Sequence, residues 1–300
     1  MRQTYANYEI ILVDNASHDG SVYFVQTNYT QIRLIPLCEN TGFTGGNLAG
    51  FKEATGEYIV LLNNDAVLID CWLEEMVATL LSDTKVGFCS SKIIISGSNK
   101  VDSVGDTFTT AFTGTKTGEY ESESKFVLKR FVQGACAAAV IYKREMLDHI
   151  GFLDEDFFFN HEDTDLNLRA WLSGWMCIFV PTAVVYHKVS ASVGELSDTG
   201  VYYFSRNNVW VWIKNTPPEF LIRYLPQRII YELSSFAFFC IKKGKWGPFL
   251  RGKIDAIRKI PVMLKKRKKV QALVRLSPSE IKSGLMPISS YLLLRLQNIK

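Results

Sequence analysis

Three hundred residues with 47% hydrophobic content suffice for one large α/β unit plus an appendage, and exclude a disordered or fibrous chain. The formal charge of +4 is unevenly divided: residues 1–212 carry 15 Lys/Arg against 26 Asp/Glu, and residues 213–300 carry 19 against 4. Six scattered cysteines without a CxxC pair argue against a disulfide framework or a zinc site and for buried thiols in a reducing compartment, and the polar start MRQTYANYE carries no signal-peptide pattern.

In chain order, EIILVD (9–14) is a short apolar run ended by the turn formers NASHDGS, the pattern of a buried strand meeting a loop. A helix follows from Ser21, then a second strand, IRLIPL (32–37), and the glycine-rich loop NTGFTGGN opening into another helix. YIVLLNND (58–65) is a third strand with polar residues at its carboxyl end. This rhythm predicts an α/β fold with a doubly wound, mostly parallel sheet. Residues 96–125 are Gly/Ser/Thr-rich without periodicity and read as loops and edge structure; FVQGACAAAVIY (131–142) reads as a buried strand, REMLDHIG as a short helix and MCIFVPTAVVYH (176–187) as one or two strands.

From about Val201 the pattern is helical to the end, with KKRKK (265–269) as the densest charge, so residues 1–212 and 213–300 are expected to form a catalytic-type domain and a basic helical region. The longest apolar run there, IIYELSSFAFFCI (229–241), contains Glu232 and is shorter than the ~20 residues that span a bilayer. An interfacial helix on an anionic membrane surface fits better, because aromatic and aliphatic residues lie between the charges; a nucleic-acid arm is more polar. That places the chain peripherally, on the cytoplasmic face of a membrane.

In open parallel sheets, ligands bind outside the carboxyl ends of the strands. Asp14 and Asp65 stand there, although Asp and Asn are also ordinary loop formers. Asn63-Asn64-Asp65 directly after five apolar residues is a poor turn choice unless something polar binds. The glycines of NTGFTGGN lack the spacing of GxGxxG and no Walker lysine follows, so they serve either close approach to a ligand or a tight turn. His187 ends a late apolar run and, with an aspartate, suits a cation; His161 is the competing histidine. FFFNHEDTDLNLRAW (157–171) sets Glu162, Asp163 and Asp165 behind aromatics, a pattern that helix capping alone also explains.

VDNASHDGS (13–21), NTGFTGGNLAG (40–50), EYIVLLNNDA (57–66), GFLDEDFFFNHEDTDLNLRA (151–170) and YHKVSASVG (186–194) together resemble, in order and spacing, the inverting family 2 glycosyltransferases, particularly the rhamnosyltransferase-like branch of bacterial cell-surface polysaccharide assembly. The resemblance covers about residues 1–215. It implies a GT-A fold, a nucleotide-diphosphate sugar donor, a lipid-linked or glycan acceptor, and Mg²⁺ or Mn²⁺.

By the same resemblance, Asp14 binds the base and the Asn40–Asn47 loop, including Gly46, lies beside the nucleotide. Asn63 and Asp65 end a DxD-like element in which Asp65 meets the metal; Asn63 removes one charge from it, which raises the weight on His187 as metal ligand. Asp163 matches the general base with Glu162 beside it, Gly134 and Ala135 the acceptor contacts, and Arg206 a diphosphate partner. Family members begin with an apolar strand and helix ahead of RQTYANYEIILVD, so this chain is expected to lack its first strand and helix. A catalytically silent membrane-bound scaffold is therefore the alternative to an active hexosyl- or rhamnosyltransferase; a nucleotide-cofactor oxidoreductase is disfavoured by the missing fingerprint.

Overall fold

The structure is a computed structural model that describes residues 3–188 and 196–298. Its first five elements alternate as the sequence predicts, β1 (Ile11–Asp14), α1 (Ser21–Asn28), β2 (Arg33–Pro36), α2 (Gly42–Glu53) and β3 (Tyr58–Leu62); β4 (Ala66–Leu68), α3 (Trp72–Leu81) and β5 (Val86–Ile95), to which the sequence reading assigned nothing, come next. Three short strands follow, β6 (Val101–Ser103), β7 (Asp106–Phe108) and β8 (Gly114–Lys116), then β9 (Arg130–Val132), β10 (Ala139–Lys143), α4 (Arg144–Ile150), α5 (Glu162–Leu172) and β11 (Met176–His187). The remainder is helical: α6 (Asp198–Asn215), α7 (Pro218–Arg223), α8 (Leu225–Phe236), a π-helical turn (Ala237–Lys242), α9 (Trp246–Arg258), α10 (Ile260–Ala272), α11 (Pro278–Gly284) and α12 (Ile288–Asn298).

The main sheet runs β3-β10-β5-β11-β4, with β6 on β5 and β9 on β11. β5 and β11 are parallel, while β10 lies antiparallel between β3 and β5. β1 and β2 form a separate parallel pair, and among the described residues β1 pairs with no other strand. Side chains alternate across the main sheet with the period of two that a strand imposes. Phe88 and Tyr142 face one cluster with Ile59, Leu61, Met146, Leu166 and Ala170. Cys89 and Ile141 face the other, with Trp72, Met76 and Leu80 of α3. Each fully buried side chain of this size contributes roughly 1.5–3 kcal/mol.

Helix α5 is apolar on two sides, and this decides the architecture. Leu166 and Ala170 pack on the sheet, while Leu168, Trp171 and Leu172 join Trp210, Phe220, Tyr224, Met263 and Ile281. A helix buried all round needs cover on both faces. The helices after residue 212 supply the second cover, and the boundary expected at 212/213 falls inside α6, which packs against α9 and α10.

Several elements differ from the sequence reading. FVQGACAAAVIY is two strands with residues 133–138 crossing between them. Of the one or two strands read in MCIFVPTAVVYH the structure has one, whose pairing shifts register between Val180 and Val184, around Pro181, which lacks a ladder donor. The helix after β2 begins at Gly42, so Gly45 and Gly46 lie inside it. Gly50 brings this helix close to β1, since a Cβ there would sit 3.2 Å from Val13. Three of the six cysteines are buried, whereas Cys38 is exposed.

Candidate functional site

The carboxyl end of β3, the 133–138 crossing, the amino end of α5 and the carboxyl end of β11 meet at one rim. The Asn63 backbone N–H donates to the Ala138 carbonyl at 2.9 Å, and the Ala137 N–H points at Asp163 Oδ2 at 3.5 Å. His187 Nε2 lies 3.1 Å from Asp65 Oδ1 and 3.5 Å from Asn63 Nδ2. Asp65, Asn63, Asp163 and His187 thus belong to one contiguous patch.

The β1 loop and the glycine segment are tied to it by a second set of contacts. Asn15 Oδ1 accepts from Thr41 N (2.8 Å) and Oγ1 (3.1 Å), while its Nδ2 donates to Asn40 Oδ1 (3.1 Å) and the Gly42 carbonyl (2.9 Å). Gly42 has φ +72°, and a Cβ there would lie 2.4 Å from the Phe158 carbonyl, so only glycine fits. The Thr44 N–H donates to that same carbonyl at 3.0 Å. Asp14 is buried and accepts from the Ser17 N–H, and Asn47 turns its amide back to the Phe43 carbonyl. Gly46 faces Asn15, with open space enough for a Cβ.

Phe158, Asn160 and His161 all have positive φ (63°, 70° and 68°), a strained run for residues with side chains. Asn207 of α6 holds it, its Nδ2 donating to the carbonyls of Phe157, Phe159 and Asn160 at 2.6–2.9 Å. The run delivers three acids to the first turn of α5, and helix geometry sends each to a different environment. Asp165 is 0% exposed and faces Arg169, Lys214 and Asn215. Glu162 is buried, with Oε2 unpartnered. Asp163 alone is partly open to solvent at the rim.

Electrostatics separates the two neighbours further. Burial, and then Asp163 beside it, pushes the Glu162 carboxyl up to about 8. Burial also raises Asp163, but the Thr164 N–H at 2.6 Å, the Ala137 N–H and the charge of Lys116 favour its ionised form. The hydrogen bonds and Lys116 thus favour the ionised form at Asp163, whereas burial favours the neutral form at Glu162. Burial, with Asp163 second, likewise lifts Asp106 of β7 to about 8.

Two expectations change. Gly134 and Ala135 are buried: Asn167 Nδ2 donates to the Ala135 carbonyl (2.9 Å), the Gly134 carbonyl accepts from Asp106 N (2.8 Å), and Cys136 is the neighbour that reaches solvent. Neither is open to an acceptor, because the crossing is pressed against α5. Arg206 spends its donors on the carbonyls of Asp156 and Phe157 and on Asn207, and its guanidinium lies 4.2 Å from the Trp210 ring centroid. These contacts use Nε and Nη2, and through them Arg206 braces the strained run. The YHKVSASVG motif beyond Lys188 lies outside the described residues up to Gly194.

Sequence reasoning missed Asn15, Asn207, Asp102, Asp106 and Lys116. Asp102 of β6 lies beside the ring of His187 and is paired with Lys116 of β8 at 2.5 Å. Asp102, Asp106 and Lys116 sit in the stretch read as loops, where three-residue strands are too short to show a period.

The mixed α/β sheet with polar groups gathered at strand ends has the architecture of the GT-A fold. The chain belongs to glycosyl transferase family 2, whose model matches residues 1–151. It is 30% identical over 202 residues to the uncharacterized glycosyltransferase YwdF of Bacillus subtilis (strain 168), covering 66% of this chain and 70% of that one. It is 23% identical over 217 residues to the N-acetylglucosaminyl-diphospho-decaprenol L-rhamnosyltransferase of Mycobacterium tuberculosis (strain ATCC 25618 / H37Rv), covering 62% and 68%. The crystal structure of GalNAc-T7 with UDP, GalNAc and Mn2+ shares the fold at 14% identity, with a TM-score of 0.57 over 85% of this chain and 51% of that one. The chain spans only 22% and 52% of the length of two further curated relatives.

Proposed function

We propose that this chain transfers a sugar, rhamnose or a hexose, from a nucleoside-diphosphate donor to a hydroxyl of a lipid-linked saccharide, with inversion, in cell-surface polysaccharide synthesis. The observation that carries this reading is the sorting of the α5 acids, which leaves one ionisable carboxylate, Asp163, at the same rim as Asp65 and His187. Asp163 takes the acceptor hydroxyl proton while that oxygen attacks the anomeric carbon, and the bond to the diphosphate breaks with its electron pair leaving on the diphosphate oxygen. Neutral Glu162 avoids a second negative charge beside the base. Asp14 and the Asn40–Asn47 segment, held together by Asn15, form the nucleotide wall. The acceptor class is supported by the name of the mycobacterial relative.

Asp65 and His187 fit a divalent cation as a partial set, one oxygen and one nitrogen 3.1 Å apart at the rim. Among the described residues no group of three ligating side chains lies together, so a cation held by Asp65 and His187 would need further oxygen ligands from the donor or from water, as is common for Mg²⁺. When bound, the cation stabilises negative charge on the leaving diphosphate as a Lewis acid. Asp65→Ala is expected to abolish the Mn²⁺-dependent part of donor-nucleotide affinity, measured by titration with and without Mn²⁺. Equal metal dependence in the variant would move the cation elsewhere, and no metal-dependent binding in wild type would favour the silent scaffold.

The same reading places the chain peripherally on the cytoplasmic face of a membrane. No described helix is long and apolar enough to cross one. Exposed Leu225, Ile229 and Leu233 recur at helical spacing on α8, and Trp246, Leu250 and Ile254 do so on α9; Phe236 and Trp246 join the two stripes edge to face at 5.1 Å. Lys243, Lys245 and Arg251 are close in sequence to these residues, suiting an anionic surface. Leu233→Glu with Ile254→Glu is expected to weaken partition onto vesicles containing phosphatidylglycerol by at least about tenfold, since each lost insertion is worth roughly 1.5–3 kcal/mol. Undiminished sedimentation with those vesicles would refute this face.

A further inference from the structure

His187 has two buried ring nitrogens, and only one of them has been given a role. Its Nε2 faces Asp65 Oδ1 at 3.1 Å. Its Nδ1 faces Asp102 Oδ2 at 3.7 Å, beyond hydrogen-bond length, and neither atom has any other partner although both are buried. Two unpartnered polar atoms 3.7 Å apart in the interior are costly, and a small movement of the ring closes the gap. The second Asp102 oxygen is held by Lys116 Nζ at 2.5 Å, and Asp102 is 3% exposed. The carboxylate is therefore anchored from behind while its free oxygen waits at the imidazole.

We propose that Asp102 is a positioning residue that fixes the orientation and tautomer of His187, with Lys116 as its anchor. This rests on the reading of Asp65 and His187 as the cation ligands. An imidazole that gives its Nε2 lone pair to a cation carries its single proton on Nδ1, and that N–H needs an acceptor. Asp102 Oδ2, 3.7 Å away, is the buried acceptor that faces it. Asp102 acts through the ring and touches neither donor nor acceptor sugar. The β6–β8 segment is thereby part of the site, which explains why the Asp102 carboxylate is buried on a strand of three residues with the half-buried Lys116 paired to it.

The test is Mn²⁺ titration of the full chain followed by electron paramagnetic resonance, together with ¹⁵N NMR of the histidine side chains in the presence of Mg²⁺. Asp102→Asn is expected to weaken Mn²⁺ binding about 10- to 100-fold, and Asp102→Glu to recover part of it. In wild type holding Mg²⁺, the His187 ring is expected to carry its proton on Nδ1; a proton on Nε2 overturns the proposal whether or not any variant folds. Asp102→Asn with wild-type Mn²⁺ affinity and unchanged His187 resonances also overturns it, provided His187→Ala is impaired. His187→Ala with undiminished Mn²⁺ affinity instead sinks the cation reading on which the proposal stands.

Discussion

Asp163→Asn is expected to reduce transfer by on the order of 10²–10⁴-fold, the usual contribution of a positioned base, while donor-nucleotide affinity stays within about twofold of wild type. The asparagine amide keeps the size of the side chain and its oxygen still accepts the Thr164 N–H, so the strained run and the first turn of α5 have no reason to move. It cannot accept the acceptor proton. The informative comparison is with Glu162→Gln, which imitates the neutral acid that burial already imposes and is expected to leave the rate near wild type. A steady-state assay with both variants separates the roles. If transfer survives in Asp163→Asn, the base is another group, and Asp106 is then the first to examine.

The second large effect concerns stability. Lys214→Met is expected to destabilise the fold by about 3 kcal/mol, the lower end for removing one partner of a buried ion pair. Lys214 is buried in α6 and reaches Asp154 as well as Asp165 Oδ1 at 2.9 Å. Asp165 keeps Arg169 (3.0 Å) and Asn215, and Asp154 keeps Lys266, which holds the loss to that lower end. A urea titration with unchanged slope and a lowered midpoint measures it.

Acid gives this prediction a sign. Burial opposes ionisation of Asp154 and Asp165, but Lys214, with Lys266 on one and Arg169 on the other, holds both carboxyls below the usual range. Their folded pKa values lie below the unfolded value of 3.8, so the network's contribution is present above that pH and is lost as pH falls further. The gap between wild type and Lys214→Met should be full near neutrality and narrow below about pH 4. A gap independent of pH would mean that packing, not charge, dominates. The same network explains why deleting residues 213–300 would be a poor test of membrane binding: it removes Lys214, Lys266 and one wall of the core around α5.

Much of the candidate site was legible because strand ends and turn chemistry are local. EIILV and YIVLL are apolar runs that must stop somewhere, and the polar residues that stop them, Asp14 and Asn63 to Asp65, stand at the carboxyl ends of β1 and β3. The acid triplet at 162–165 was equally visible, although helix capping alone also accounts for acids in a first turn. What a linear pattern cannot rank is which acid of the three works. That ranking depends on where α5 is pinned: on Lys214 and Asn215 from α6, fifty residues on, which claim Asp165, and on the Ala137 N–H, which reaches Asp163.

The sequence by itself determined the strand and helix rhythm, the glycine-rich entry into a helix, the acids after the aromatic run and the basic bias of the last helices, because each follows from composition or spacing over a few residues. Only the tertiary structure decided that Arg206 braces a loop, that Ala135 is closed off, that the carboxyl-terminal helices share a core with α5, and that Asp102 stands behind His187. Those outcomes are set by burial and by contacts between residues tens of positions apart, and a side chain's partners across such distances leave no periodic trace in the chain.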